Sequence, residues 1–225
     1  LSWMEQLCLK SFVDQGQKIT LFSYEDIPNV PSGVIRRDGR EVLDTDNFLK
    51  YEKKDSFALF ADLFRLHMIA RNPGMIWCDT DVYCHRPMTY DSGYVMGFEL
   101  PGGHRVNNAV LGLPAERPVP PRAVRRRRPG GPGVKKAFRA PPEAGALLRG
   151  LLAPSADPFA IPPFVKPALQ EEYRAKAAAG QPVHVSQQPW GVWGPMMVTH
   201  FTHALGLADQ VLPLEAFYPV TFPDR

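Results

Sequence analysis

The sequence predicts an α/β fold, on three observations. Runs with apolar residues at helical spacing alternate along the chain with short apolar runs rich in β-branched and aromatic residues. The first helix feeds the first strand within a few residues, which is the second half of a βαβ unit. The runs are also punctuated where helices should stop, by Gly16 and by Pro73-Gly74.

At 225 residues the chain is long enough to bury the core of one domain. Trp3, Leu7 and Phe12 recur at helical spacing, and Gly16 ends that helix. The stretch from Lys18 to Tyr24 reads as a buried strand. Its βαβ partner would lie upstream of Leu1, and the chain opens without an initiator methionine, so a truncated start is expected. Residues 29–46 read as loop with at most short strands, broken by Pro31, Gly33 and Gly39. Ser56 can cap a helix reaching to about Asn72, with Phe57, Phe60, Phe64 and Met68 as its apolar face. Met75 to Cys78 is a short apolar strand, and Tyr94 to Phe98 and Ala109 to Leu113 are further strands. Regular structure resumes at Ala144 to Leu148 and continues with a helix from Ala168 to Ala179 and a strand-like Val183-His184-Val185. Gly194-Pro195 opens a last helix through Met196, Val198, Phe201 and Leu205.

Charge is unevenly distributed. Residues 115–142 carry nine of the chain's 26 basic residues and one of its 23 acidic ones, so the remainder has 17 against 22, a net charge of −5. The basic character belongs to one segment and is no argument that the fold binds nucleic acid. Residues 114–142, with eight prolines, the run Arg125 to Arg128 and Pro129-Gly130-Gly131-Pro132-Gly133, have little to bury and read as a disordered insertion. No apolar run approaches the ~20 residues of a membrane-spanning helix. Three cysteines, Cys8, Cys78 and Cys84, have no disulfide-framework spacing, which favours a reducing compartment.

The chemistry-bearing motif is Asp79-Thr80-Asp81, placed at the C-terminal end of the Met75–Cys78 strand, where open α/β sheets bind ligands. On an extended backbone, residues two apart point to one side, so both carboxylates can meet one hard divalent cation. Mn²⁺ or Mg²⁺ held by two carboxylates fills its remaining positions with water and phosphate oxygens and neutralises a departing diphosphate. The tripeptide alone is common by chance, and its bland alternative is a pair of solvated or capping aspartates in a turn. Asp62 and Arg65 lie three apart on one helix face, an arrangement that also suits a simple surface ion pair. Trp190 and Trp193 lie in a Gly/Pro loop, where bulky aromatics stack on sugars or anchor loops into cores. Gly194-Pro195 at a helix start offers backbone N–H groups to a phosphate. His184, His200 and His203 are isolated and read as structural or exposed.

Phe60-Ala-Asp62-Leu-Phe-Arg65 followed by Asn72-Pro-Gly74-Met-Ile-Trp-Cys-Asp79-Thr-Asp81 resembles the signature of glycosyltransferase family 32 and its relatives. These include alpha-1,4-galactosyltransferases, mannosyltransferases and bacterial capsule-type glycosyltransferases of polysaccharide biosynthesis. Val106 to Gly112 and Trp190 to Thr199 are similar to motifs of the bacterial branch. Met75 stands where the family has a second glycine, and Trp77 where it has tyrosine. The resemblance covers residues 1–113 and 159–225 and leaves out the insertion. It implies a GT-A-type nucleotide-diphospho-sugar transferase fold over residues 1–225, a Rossmann-like mixed sheet flanked by helices, truncated at both ends. It further implies a hexosyltransferase acting with retention, moving a sugar from a nucleoside-diphosphate donor, a UDP-sugar first, to a saccharide or glycoconjugate. Asp79 and Asp81 would hold the metal and diphosphate. Asp62 and Arg65 would hold the donor, with Trp190, Gly194 and Pro195 beside it. Asn107 or Asn108 would place an amide near the reacting sugar, unless the two merely form a turn at a strand edge. The bacterial branch implies a cytoplasmic protein without a nucleic-acid partner, and leaves peripheral membrane contact through Arg125, Arg126, Arg127 and Arg128 open.

Three rival readings stand beside this one. A haloacid-dehalogenase-like phosphatase also carries a strand-borne Asp-x-Asp with Mg²⁺, but its pattern wants Thr or Val where Tyr83 stands, and no downstream acidic pair with a lysine follows. A zinc site from Cys78, Cys84 and His85 lacks a usual ligand spacing. A binding module gripping nucleic acid or anionic lipid through the arginine run lacks interleaved aromatics.

Overall fold

A computed structural model describes residues 1–114 and 142–218. It is mixed α/β, with one small parallel sheet, one small antiparallel sheet and helices packed on them. The predicted insertion at 114–142, including the run Arg125 to Arg128, lies outside the described residues but for its two ends.

Helix α1 (Trp3–Asp14) starts with a reciprocal capping box, in which Ser2 Oγ accepts from the Glu5 amide and Glu5 Oε2 accepts from the Ser2 amide. Gly16, at φ +70°, turns the chain out of it. The spacing predicts this helix, but its buried face is different. Cys8, Leu9, Ser11 and Phe12 face inward, while Trp3 is 74% exposed and Leu7 points to solvent. The inward face is set by a polar contact that no hydrophobic pattern signals: Ser11 Oγ accepts from the Cys84 amide at 2.8 Å.

Strand β1 (Thr20–Ser23) pairs in parallel with β2 (Ile35–Asp38), Thr20 opposite Ile35 and Ser23 opposite Asp38. It is half-buried rather than buried, because β2 is its sole partner among the described residues. Helix α2 (Ala58–Arg71) begins where Ser56 Oγ accepts from the Ala58 amide at 3.2 Å. Leu59, Phe60, Phe64, Leu66, Met68 and Ile69 are all buried, so the core surrounds most of its circumference. Phe57, expected on the apolar face, is 53% exposed and carries the Lys50 ammonium over its ring at 4.3 Å.

Strands β3 (Ile76–Cys78), β4 (Val95–Phe98) and β5 (Val106–Gly112) form an antiparallel sheet in the order β3-β5-β4. The central β5 begins three residues earlier than its apolar run suggests, so Asn107 and Asn108 lie within it. Helix α3 (Pro142–Leu152) meets α5 (Pro195–Ala204) at Gly150, where a Cβ would lie 2.9 Å from the Phe201 ring. Helix α5 packs in turn on β5 and is tied to it by Thr199 Oγ1, which accepts from the Val106 amide at 3.0 Å. Helix α4 (Pro167–Ala178) is peripheral and buries Tyr173 alone. Val183-His184-Val185 is no strand: the His184 ring accepts from the Ser186 amide and starts a 3-10 turn over Val185–Gln187. The two sheets are not hydrogen-bonded to each other. An apolar groove of about 580 Å³, lined by Thr20, Phe22, Phe64, Ile76 and Trp77 among others, runs between β1 and β3.

Two substitutions separate the real core from the patterned one. Leu111→Ala, at a fully buried site on the central strand, is expected to lower unfolding free energy by about 2–5 kcal/mol. Trp3→Ser should stay within about 0.5 kcal/mol of the wild type in the same urea titration. A larger loss at Trp3 would mean that the outer face of α1 is packed after all.

Candidate functional site

The core of the site is one guanidinium between two carboxylates. On α2, Asp62 and Arg65 stand one turn apart and point at the carboxyl end of β3. Arg65 Nη2 lies 3.3 Å from Asp62 Oδ1, and Nη1 lies 3.2 Å from Asp79 Oδ1. Nη1 also donates to the Asn108 carbonyl, Nε donates to the Ala61 carbonyl at 3.3 Å, and the guanidinium sits 5.1 Å from the Trp77 ring centroid. Asn108 Nδ2 donates to Asp62 Oδ1 at 2.9 Å, and Trp77 Nε1 donates to Asp79 Oδ1 at 2.6 Å. Asp62, Arg65 and Asn108 are 5–6% exposed, so this is no surface ion pair.

Burial pushes the Asp62 carboxyl above its ordinary range. Arg65 and Asn108 pull it back, and the Asp79 charge pushes it up again. Asp79 is likewise raised, first by burial and also by Asp81, with Arg65 and Trp77 opposing. Arg65 is thus shared by two carboxylates that both resist ionisation. Gly194 completes the enclosure, because a Cβ there would lie 2.5 Å from Asp62 Oδ2. As the residue before α5, Gly194 also brings the positive end of that helix to the buried carboxylate.

The Asp-x-Asp segment departs from the extended geometry that its spacing suggests. Strand β3 ends at Cys78, the Asp79 amide donates to the Ala109 carbonyl at 2.8 Å, and the Val82 amide donates back to Asp79 at 3.1 Å. Thr80 and Asp81 are therefore the middle of a turn. Beyond that bond β5 runs on without β3, paired on its other edge with β4 at Asn107 and Val106. Asp79 and Asp81 nevertheless line the same cleft, of about 1020 Å³. Asp81 is exposed and makes no hydrogen bond or ion pair among the described residues, and Asp79 Oδ2 receives no hydrogen bond from them. Beside them, burial, then Asp79 and Cys84, push the Cys78 thiol up to about 12, so it is not a thiolate at neutral pH.

Of the nine residues singled out from the sequence, Asp62, Arg65, Asp79, Asp81, Asn107, Asn108, Trp190 and Pro195 line this cleft, and Gly194 lies behind Asp62. The two asparagines differ in employment. Asn108 is turned inward to Asp62, whereas Asn107 lines the cleft with its Oδ1 accepting from the Ala109 amide at 2.7 Å. Trp190, 44% exposed, packs against Tyr51 at 4.9 Å between ring centroids and carries the Lys54 ammonium at 4.4 Å. Trp193 is a buried core anchor. No family model, curated protein or solved structure matches the chain.

The sequence reading missed Tyr51 and Tyr218. The buried Tyr51 hydroxyl accepts from the Gly191 amide at 3.0 Å and so fixes the loop that carries Trp190. Tyr218 lines the cleft from the far side. Neither sits in a pattern that spacing could flag. Among the described residues no group of three or more His, Cys, Asp or Glu side chains is arranged to hold a metal. A cation here would rest on Asp81 and on Asp79 Oδ2, with water and ligand oxygens completing its shell, and that donor set suits Mg²⁺ or Mn²⁺.

Removing the shared cation tests this balance. Arg65→Met leaves two carboxylates without their counter-charge and should destabilise the fold by about 3–5 kcal/mol at pH 7.5. Without Arg65 both carboxyls rise further, so the native state binds protons more readily than the unfolded chain. Stability of the variant then falls as pH rises above the ordinary carboxylate range. Urea titrations at pH 4.5 and 7.5 should therefore show a smaller deficit at the lower pH, and an equal deficit would refute the shared-charge account.

Proposed function

We propose that this chain is a metal-dependent glycosyltransferase of the GT-A type, using a nucleoside-diphosphate sugar, a UDP-sugar first, and a saccharide or glycoconjugate acceptor. The observation that carries the reading is convergence. Five residues from three separate segments, Asp62 and Arg65 on α2, Asp79 and Asp81 after β3, and Asn108 on β5, meet at one cleft. The resemblance to glycosyltransferase family 32 supplies the transferase and its retaining stereochemistry, the donor class and a cytoplasmic location. No helix among the described residues is long and apolar enough to cross a membrane.

Each residue has work it can do in that reaction. Asp81 and the open Oδ2 of Asp79 would hold a divalent cation, Mn²⁺ or Mg²⁺, whose charge would offset that of a departing diphosphate. Trp77 and Arg65 occupy Asp79 Oδ1, which fixes the carboxylate plane. An aspartate held this way suits ligation better than attack on a phosphoryl group, which disfavours the phosphatase reading. Arg65 opposes the burial that raises the Asp62 carboxyl, and Asp62, at the cleft wall, can accept from sugar hydroxyls. Asn107 offers its amide Nδ2, and Trp190 gives an aromatic wall on which a sugar or base can rest.

Calorimetry with a panel of nucleotide sugars, with and without Mn²⁺, tests the proposal. Binding should require the metal and disappear in Asp81→Ala, whose thermal midpoint should match the wild type because Asp81 has no structural partner to lose among the described residues. Binding that ignores the metal, or none to any donor, would sink the reading.

A further inference from the structure

Tyr218 has a hydroxyl whose proton meets no acceptor among the described residues. Its backbone amide donates to the Leu214 carbonyl at 2.8 Å, which closes the turn after Leu214–Ala216. Its ring and that of Phe217 lie against β4 at Gly97, where a Cβ would come within 2.7 Å of Phe217 Cδ2 and 3.6 Å of Tyr218 Cε2. The ring is thus seated by the missing side chain of Gly97. The phenol oxygen is shut off from water and its proton meets no acceptor among the described residues, although Tyr218 lines the same cleft as Asp79 and Asn107. An orphaned buried hydroxyl is destabilising and calls for a reason.

The surroundings indicate which half of the hydroxyl is wanting. The Val110 backbone group beside it is an amide, a donor, and so offers nothing to the phenol proton. Burial first, then the Asp79 and Glu99 carboxylates, hold the phenol protonated, with Arg65 opposing. Tyr218 therefore presents a proton with no acceptor among the described residues, in the cleft that Asp79 and Asp81 also line. The group next to a cation on that turn is an oxyanion, which accepts hydrogen bonds and has no proton of its own.

We propose that Tyr218 is a ligand-contacting residue whose phenol donates a hydrogen bond to a phosphate oxygen of the nucleoside diphosphate bound at Asp79 and Asp81. The assignment rests on the glycosyltransferase reading above. It is tested by titrating UDP with Mn²⁺ into the wild type and into Tyr218→Phe, alongside thermal unfolding of both proteins without ligand. Loss of a hydrogen bond to a charged acceptor should weaken UDP binding about tenfold or more. The unliganded variant should melt at or above the wild-type midpoint, because the phenol proton has no acceptor among the described residues to lose. Equal UDP affinity in the two proteins would overturn the role of Tyr218 and leave the transferase reading standing. A lowered midpoint would overturn it too, by showing that the hydroxyl serves the fold. A wild type that binds no UDP with Mn²⁺ overturns the transferase reading, and the role of Tyr218 with it.

Discussion

Everything at the cleft depends on Arg65. A lone buried carboxylate is costly in a protein interior, and here a buried one and a half-buried one are held by one guanidinium that also ties α2 to β5 through the Asn108 carbonyl. The guanidinium suits this position because its planar fork can meet Asp62, Asp79 and a carbonyl at once, which a lysine ammonium on a flexible stem does less well. One side chain thus sets the spacing between a helix, the end of a strand and the middle of a sheet. The price is that the cluster is intolerant of change on every side, down to the Cβ that Gly194 must do without.

The cluster also explains why the two aspartates of the motif are unlike each other. Asp79 is half-withdrawn, with one oxygen spent on Trp77 and Arg65, whereas Asp81 stands in the open at the middle of a turn. One is an oriented carboxylate and the other an available one. A motif read as two equivalent ligands is better read as an anchor and a reach.

Much of this was legible in the amino-acid order, and the boundary is physical. Helices α1, α2 and α5 announce themselves because their ends carry local signals: Gly16, Ser56 with Pro73-Gly74, and Gly194-Pro195. The site residues were visible as types and spacings, but not their employment. Nothing local to Asn108 says that its amide turns inward to Asp62, 46 positions away, while Asn107 faces the cleft. The burial of Asp62 and Arg65 is equally a product of packing, since the same i,i+3 pair on an exposed helix would be unremarkable. Where the reading failed outright, at Trp3, Phe57 and Val183 to Val185, apolar residues were assigned to faces or strands by composition. The structure instead decided by long-range partners such as Cys84 for α1 and by the local His184–Ser186 contact. Tyr51 and Tyr218 had no local mark at all, because their roles exist only once distant segments have met.

The groove between β1 and β3 bears on how the molecule behaves among its own copies. The outer strand β2 is guarded by charge, with Arg36 paired to Asp26 and Arg37 to Glu41, a common defence of a free sheet edge against edge-to-edge association. The inner edges of β1 and β3 have no such guard and are lined by Phe22, Phe64 and Trp77. Their protection is position: they line a recess of about 580 Å³ between the two sheets. Adhesiveness in this fold is therefore a matter of access, and anything that widened the recess would turn its most apolar wall into its stickiest surface.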